Sequence, residues 1–201
     1  MRAGRLRRCG ALVVIGVFAA TASGCGGSGS ASRLAQRVVP KQSDLGPGWE
    51  RVPAAKLHAP SGCLARPAIS ACALSYFVPS TERTSQSELV AGAVGLATVY
   101  PTEAAARAAF ERAETQTALA RTIRRANTTQ SIALTSRTSL SVAGAHAIRF
   151  VLDVHVLRPV RVGWHYRVIL IQKAREVVLL TVTSPKPLSA RAVAARIARR
   201  M

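Results

Sequence analysis

Four residues in the C-terminal half carry side chains capable of acid–base or metal chemistry: Asp153, His155, His165 and Arg167. They lie on two runs with alternating apolar residues, 145–157 and 164–173, joined by Arg158-Pro159-Val160-Arg161-Val162. Folding these runs back about Val160 sets Val156 opposite Trp164, Val154 opposite Tyr166, Leu152 opposite Val168 and Phe150 opposite Leu170. Every pair is apolar, which supports that register. The other face then pairs Asp153 with Arg167 and His155 with His165. Two imidazoles and a carboxylate are credible zinc ligands, and the same group suits a small anion. The plainer alternative is a cross-strand Asp153–Arg167 ion pair with two solvated histidines, an arrangement worth only about 0–1 kcal/mol. On that alternative the chain needs no metal and no cofactor.

Other catalytic signatures are missing. The sequence has no G-x-S-x-G, no H-E-x-x-H, no P-loop and no dinucleotide glycine pattern. Its 9 acidic residues fall mostly on helices and loops, so paired carboxylates for glycoside chemistry are hard to assemble. A non-catalytic protein is the expectation, with an unrecognised enzyme only a third reading.

The chemistry of cysteine supplies a second set of candidates. Arg2, Arg5, Arg7 and Arg8 precede an apolar run, Ala11 to Ala20, and then small residues up to Cys25. This is the layout of a secretory signal. The apolar run is about a dozen residues, short of the roughly 20 that span a bilayer. The junction Ala22-Ser23-Gly24-Cys25 resembles the lipobox of bacterial lipoproteins. Ser23, Gly24 and Cys25 match that pattern, while Ala22 stands where leucine is most common. The resemblance implies cleavage before Cys25, a lipid on its thiol, and residence at the extracytoplasmic face of the cell membrane. The alternatives are a soluble secreted protein cut nearby and an uncleaved anchor. Residues 1–24 are thus expected to be signal, and 25–39 a lipidated cysteine with a flexible tether that opens on Gly26-Gly27-Ser28-Gly29-Ser30. Residues 40–201 form a single domain.

Within that domain only Cys63 and Cys72 remain. An exported chain meets an oxidising compartment, so the pair is expected to form a disulfide. Two free thiols or a metal pair are the competing readings, and a lone cysteine pair makes a poor zinc site.

Stepping from chemistry to the elements that position it, 73–79 is expected to be an edge strand and 87–100 a strand buried on both faces. Pro101-Thr102 ends that strand, and Thr102 caps a long helix running to about Ala126. In that helix Ala106, Phe110, Ala113, Leu119 and Ile123 keep near-helical spacing. Strands follow over 131–136, 145–157, 164–173 and 176–183. Ser189 caps a final helix with Ala190, Val193, Ala194, Ile197 and Met201 inside and Arg191, Arg196, Arg199 and Arg200 outside. The expectation is an α+β domain: an antiparallel sheet of about five strands with the helix 102–126 and the C-terminal helix packed on it.

The chain has 201 residues, 49% of them hydrophobic, with 28 Lys+Arg against 9 Asp+Glu. That apolar share excludes a disordered basic tail. Without the four signal arginines, residues 25–201 carry 24 basic against 9 acidic residues, a net +15. Export argues against nucleic acid as the anionic partner, and the arginines are not interleaved with aromatics.

Three features resemble the extracellular sensor domains of bacterial serine/threonine kinases and related actinobacterial lipoproteins. They are the turn Asp44-Leu45-Gly46-Pro47-Gly48-Trp49, the passage Val99-Tyr100-Pro101-Thr102-Glu103-Ala104-Ala105-Ala106, and a last hairpin followed by an Arg/Ala helix. The resemblance implies a ligand or partner cleft and no catalysis. The resulting expectation is a cell-envelope lipoprotein that binds or senses an envelope lipid, glycan or protein, through an apolar cleft between helix 102–126 and the sheet. The alternative is a structural or interaction lipoprotein whose basic face rests on anionic envelope surfaces.

Overall fold

The structure is a computed structural model and describes residues 29–57, 68–80, 92–125, 128–158, 161–183 and 188–201. Its strands are β1 (Trp49–Val52), β2 (Ala71–Pro79), β3 (Gly92–Val99), β4 (Arg121–Arg125), β5 (Thr128–Val142), β6 (Ala145–Arg158), β7 (Val162–Lys173) and β8 (Glu176–Thr183). The helices are α1 (Gly29–Val38), α2 (Gln42–Leu45), α3 (Glu103–Ala118) and α4 (Ala190–Ala198). The strands form one sheet in the order β1-β2-β3-β8-β7-β6-β5-β4, and every neighbouring pair is antiparallel.

The expectation of an α+β domain on about five strands is overturned by this eight-stranded sheet. Two strands escaped the sequence reading for physical reasons. β1 is only four residues long and begins at Trp49, directly out of a glycine turn. β4 lies in the stretch assigned to the end of helix 102–126. The helix stops at Ala118, and Leu119 turns to extended backbone at φ −76°, ψ 118°. Leu119 and Ile123 stand four residues apart, a helical spacing that hides the change of element. β5 also runs far beyond 131–136, because its outer half is Ser- and Thr-rich and lacks apolar alternation.

The helix starts are as the sequence implies. The Thr102 hydroxyl accepts a hydrogen bond from the Ala105 amide at 3.1 Å, and Ser189 does the same for Ala192 at 3.4 Å. Each satisfies a backbone donor that the first helical turn leaves open.

Helices cover both faces of the sheet. α1, α2 and α4 lie on one, which we call the three-helix face. Its core joins Ala35, Val38 and Ile197 to Ala97, Val178, Leu180 and Ile169, all at 0% exposure. α3 lies on the other face, over Phe150, Leu152, Val154, Val168 and Leu170. The close approach on the three-helix face needs a glycine. A Cβ on Gly95 of β3 would meet Pro40 Cγ at 2.5 Å and the Ser75 hydroxyl at 2.7 Å.

An ion pair locks the helices of this face together. Asp44 in α2 is 1% exposed, and Arg200 reaches both of its carboxylate oxygens at 2.6 Å. Arg196 donates to the Asp44 carbonyl at 3.1 and 2.5 Å. So Arg196 and Arg200 do not point away from the core as the helical wheel implies. They turn inward to hold α2 against α4. A fork of this kind is among the stronger polar contacts, because the planar guanidinium matches the carboxylate. Lys173 adds a hydrogen bond to the Ala198 carbonyl at 2.9 Å, a favourable charge at the C-terminal end of α4. Among the described residues no helix is long and apolar enough to cross a membrane.

Candidate functional site

The structure places Asp153, His155, His165 and Arg167 on one face of β6 and β7, as the alternation implies, but with a different pairing. β6 and β7 are offset by two residues from the pairing centred on Val160. Asp153 is opposite His165, Val151 opposite Arg167, and His155 opposite Gly163. The expected Asp153–Arg167 and His155–His165 pairs are therefore corrected. A slip of two residues keeps every side chain on its face, so apolar pattern alone cannot detect it.

The new pairing brings Asp153 Oδ1 within 2.6 Å of His165 Nδ1. This bond, a second from Thr135 and the nearby His155 hold the Asp153 carboxyl below the usual carboxylate range, against a smaller upward push from burial. Thr135 reaches Asp153 because of a β-bulge. The register of β5 on β6 shifts between Leu134 and Ser136, leaving Thr135 as the extra residue. His155 lies over Gly163: a Cβ there would come within 2.6 Å of His155 Nδ1, so a side chain at 163 would displace the ring.

The face around this pair is open. His165 is 71% and Asp153 32% exposed in their side chains; His155, Ala133 and Thr135 are exposed as well. Among the described residues no three His, Cys, Asp or Glu side chains are grouped to hold a metal ion. His165 uses Nδ1 for Asp153, and with both side chains this open to water the contact is that of a surface pair, worth about 0–1 kcal/mol. Arg149, which shares this face, donates to the Thr138 hydroxyl at 3.2 Å. Arg149 is not among the residues singled out by the sequence, and the exposed Arg124 stands on β4 rather than on the polar side of helix 102–126. For Arg149 the signal is the same period of two, since Arg149, Val151, Asp153 and His155 alternate with the buried residues of β6.

Two shallow depressions among the described residues lie elsewhere. One, of about 300 Å³, is bounded by Gln36, Pro40, Lys41 and Arg51. The other, of about 410 Å³, lies on the outer side of α3 along Glu111, Arg112 and Thr115. Neither is the apolar cleft expected between α3 and the sheet.

Cys72 pairs with Thr98 in the β2–β3 ladder and is disulfide-bonded. Its expected partner Cys63 and the expected lipid site Cys25 lie outside the described residues. Residues 29–38, assigned to the tether, form α1, with Ala35 and Val38 fully buried.

No protein-family model matches the chain, and no curated protein matches it. Among solved structures it is similar to an uncharacterized protein of Mycobacterium smegmatis, the Rv0999 ortholog. The identity is 11% and the TM-score 0.37, over 83% of this chain and 82% of the other.

Proposed function

We propose that the chain is a non-catalytic binding module of a bacterial cell envelope, held at the extracytoplasmic face of the membrane through a lipid on Cys25. The observation that carries this reading is the lipobox-like junction Ala22-Ser23-Gly24-Cys25 behind an arginine-led apolar run. The resemblance to kinase sensor domains supports the same compartment. The open cationic surface favours a partner met broadly over a ligand swallowed in a cleft. Arg149, His155, His165 and Arg167 share one strip of sheet with a single carboxylate, Asp153.

Mass spectrometry of the membrane fraction of an expressing bacterium tests the anchor. The expected result is an N-terminal peptide beginning at Cys25 with an acylated, thioether-linked modification, and release of Cys25→Ser into the soluble fraction. An unmodified mature terminus in the soluble fraction would overturn it.

A further inference from the structure

Resting on that envelope reading, we propose that the uncovered half of the three-helix face docks on an anionic lipid surface. Arg124, Arg149, Arg161, His155 and His165 meet the headgroups, and Leu157 enters the interfacial layer.

Three observations converge on a bilayer. The first is charge. Arg124 near the end of β4 and Arg161 just before β7 are exposed, as are His155 and His165 on β6 and β7. Arg149 lies further along the same face of β6, on the His155 parity. The carboxylate among them, Asp153, is engaged by His165 at 2.6 Å. Such a surface complements anionic headgroups, where each Lys or Arg contributes about 1 kcal/mol.

The second is apolar exposure within that cationic region. Leu157 is 45% exposed near the outer end of β6. The pairing of β5 with β6 jumps from Arg158 to Val156 there, so Leu157 is the extra residue of a bulge. A polymer in water has no use for a bare leucine among arginines, whereas a headgroup boundary takes both. On the α3 face of β7, Trp164 and Tyr166 pack edge to face with centroids 6.1 Å apart.

The third is the position of the anchor. α1 begins at Gly29, four residues after Cys25, a span of at most about 14 Å when extended. α1 packs on the same face of the sheet that carries the cations. A lipid on Cys25 therefore holds that face of the domain toward the bilayer rather than away from it.

Flotation of residues 25–201 carrying Cys25→Ser, with vesicles of phosphatidylcholine alone or mixed equally with phosphatidylglycerol, tests the docking without the lipid. The expected result is binding to the mixed vesicles only, weakening steeply with salt. Arg149→Gln and Arg161→Gln should each reduce it about fivefold, and Leu157→Ser severalfold. Melting curves of the variants establish that they remain folded. Equal binding to neutral vesicles, unchanged binding by the three variants, or an equal loss with Arg107→Gln and Arg112→Gln on α3 would each overturn the proposal. So would capture of soluble polyphosphate without vesicle binding. Because Cys25 is serine throughout, these outcomes stand apart from whether Cys25 is acylated in the cell.

Discussion

On the three-helix face, β6 and β7 change character partway along their length. Ala147, Ile169 and Ile171 are buried beneath the helices. Two residues further on, Arg149 and Arg167 begin a polar stretch that continues through Asp153, His155 and His165. On the α3 face the same strands do not change. Ile148, Phe150, Leu152 and Val154 run beside Leu170, Val168, Tyr166 and Trp164 without a charge. The difference shows that polarity here follows cover rather than strand identity. Where a helix lies over the sheet, the alternating position is apolar. Where the helix layer stops, most of the same positions become Arg, Asp or His, with Val151 and Gly163 among the exceptions. One half of the face is thus covered by helices, and the other stays open.

The sharpest way to break this contrast is to attack the covered half. Arg200→Ala leaves the buried Asp44 carboxylate without its fork. It is expected to cost about 3 kcal/mol in urea unfolding, while Arg149→Ala on the open half should cost about 0.5 kcal/mol or less. Equal losses would erase the contrast. Gly95→Ala comes next. Its Cβ would press on Pro40 and the Ser75 hydroxyl, and overpacking of this kind costs about 1–3 kcal/mol. A lowered Tm with unchanged vesicle binding is the outcome expected.

Glu176 gives a smaller effect whose sign depends on pH. It is 5% exposed at the covered end of β8, with Oε2 lacking a hydrogen-bond partner. Burial raises its carboxyl above the usual range, against the pull of Arg37, Lys173 and Arg175. Ionised Glu176 therefore costs stability above its folded pKa, and the cost is absent below the unfolded value, where both states are protonated. Glu176→Gln should stabilise by about 1 kcal/mol near neutral pH and change little below about pH 4. Unfolding free energies at the two pH values check this.

The open half should give the smallest change, with the opposite sign. The His165 hydrogen bond holds Asp153 below its usual range. Its contribution is present above the unfolded pKa and is lost as pH falls through the folded value. Asp153→Asn should remove that dependence and cost less than about 1 kcal/mol, because the partners are so exposed. A larger loss would mean that the pair holds the sheet together.

Much of this was legible in the sequence where one force dominates. Period-two alternation put Asp153, His155, His165 and Arg167 on one face. Cap chemistry placed the starts of α3 and α4, and the apolar stripe of α4 matches its buried residues. What escaped needs information that pattern lacks. The β6–β7 register differs by two because that slip exchanges one apolar partner for another. β4 hides in the helical spacing of Leu119 and Ile123. The Asp44–Arg200 pair joins residues 156 positions apart, beyond any local rule. Its arginine looks like an ordinary solvated charge on a helical wheel.

That last pair also sets a timetable. α1 and α2 come early in the chain, but their polar partners are Arg196 and Arg200, and their apolar partners include Val193 and Ile197. β8, one of the last elements made, lies between β3 and β7. α1 can meet β2 and β3 early, but α2 lacks the fork that holds it to α4 until residue 200 is in place. Residues 42–45 and 190–200 therefore belong to one cooperative unit, in which neither helix is fully partnered without the other.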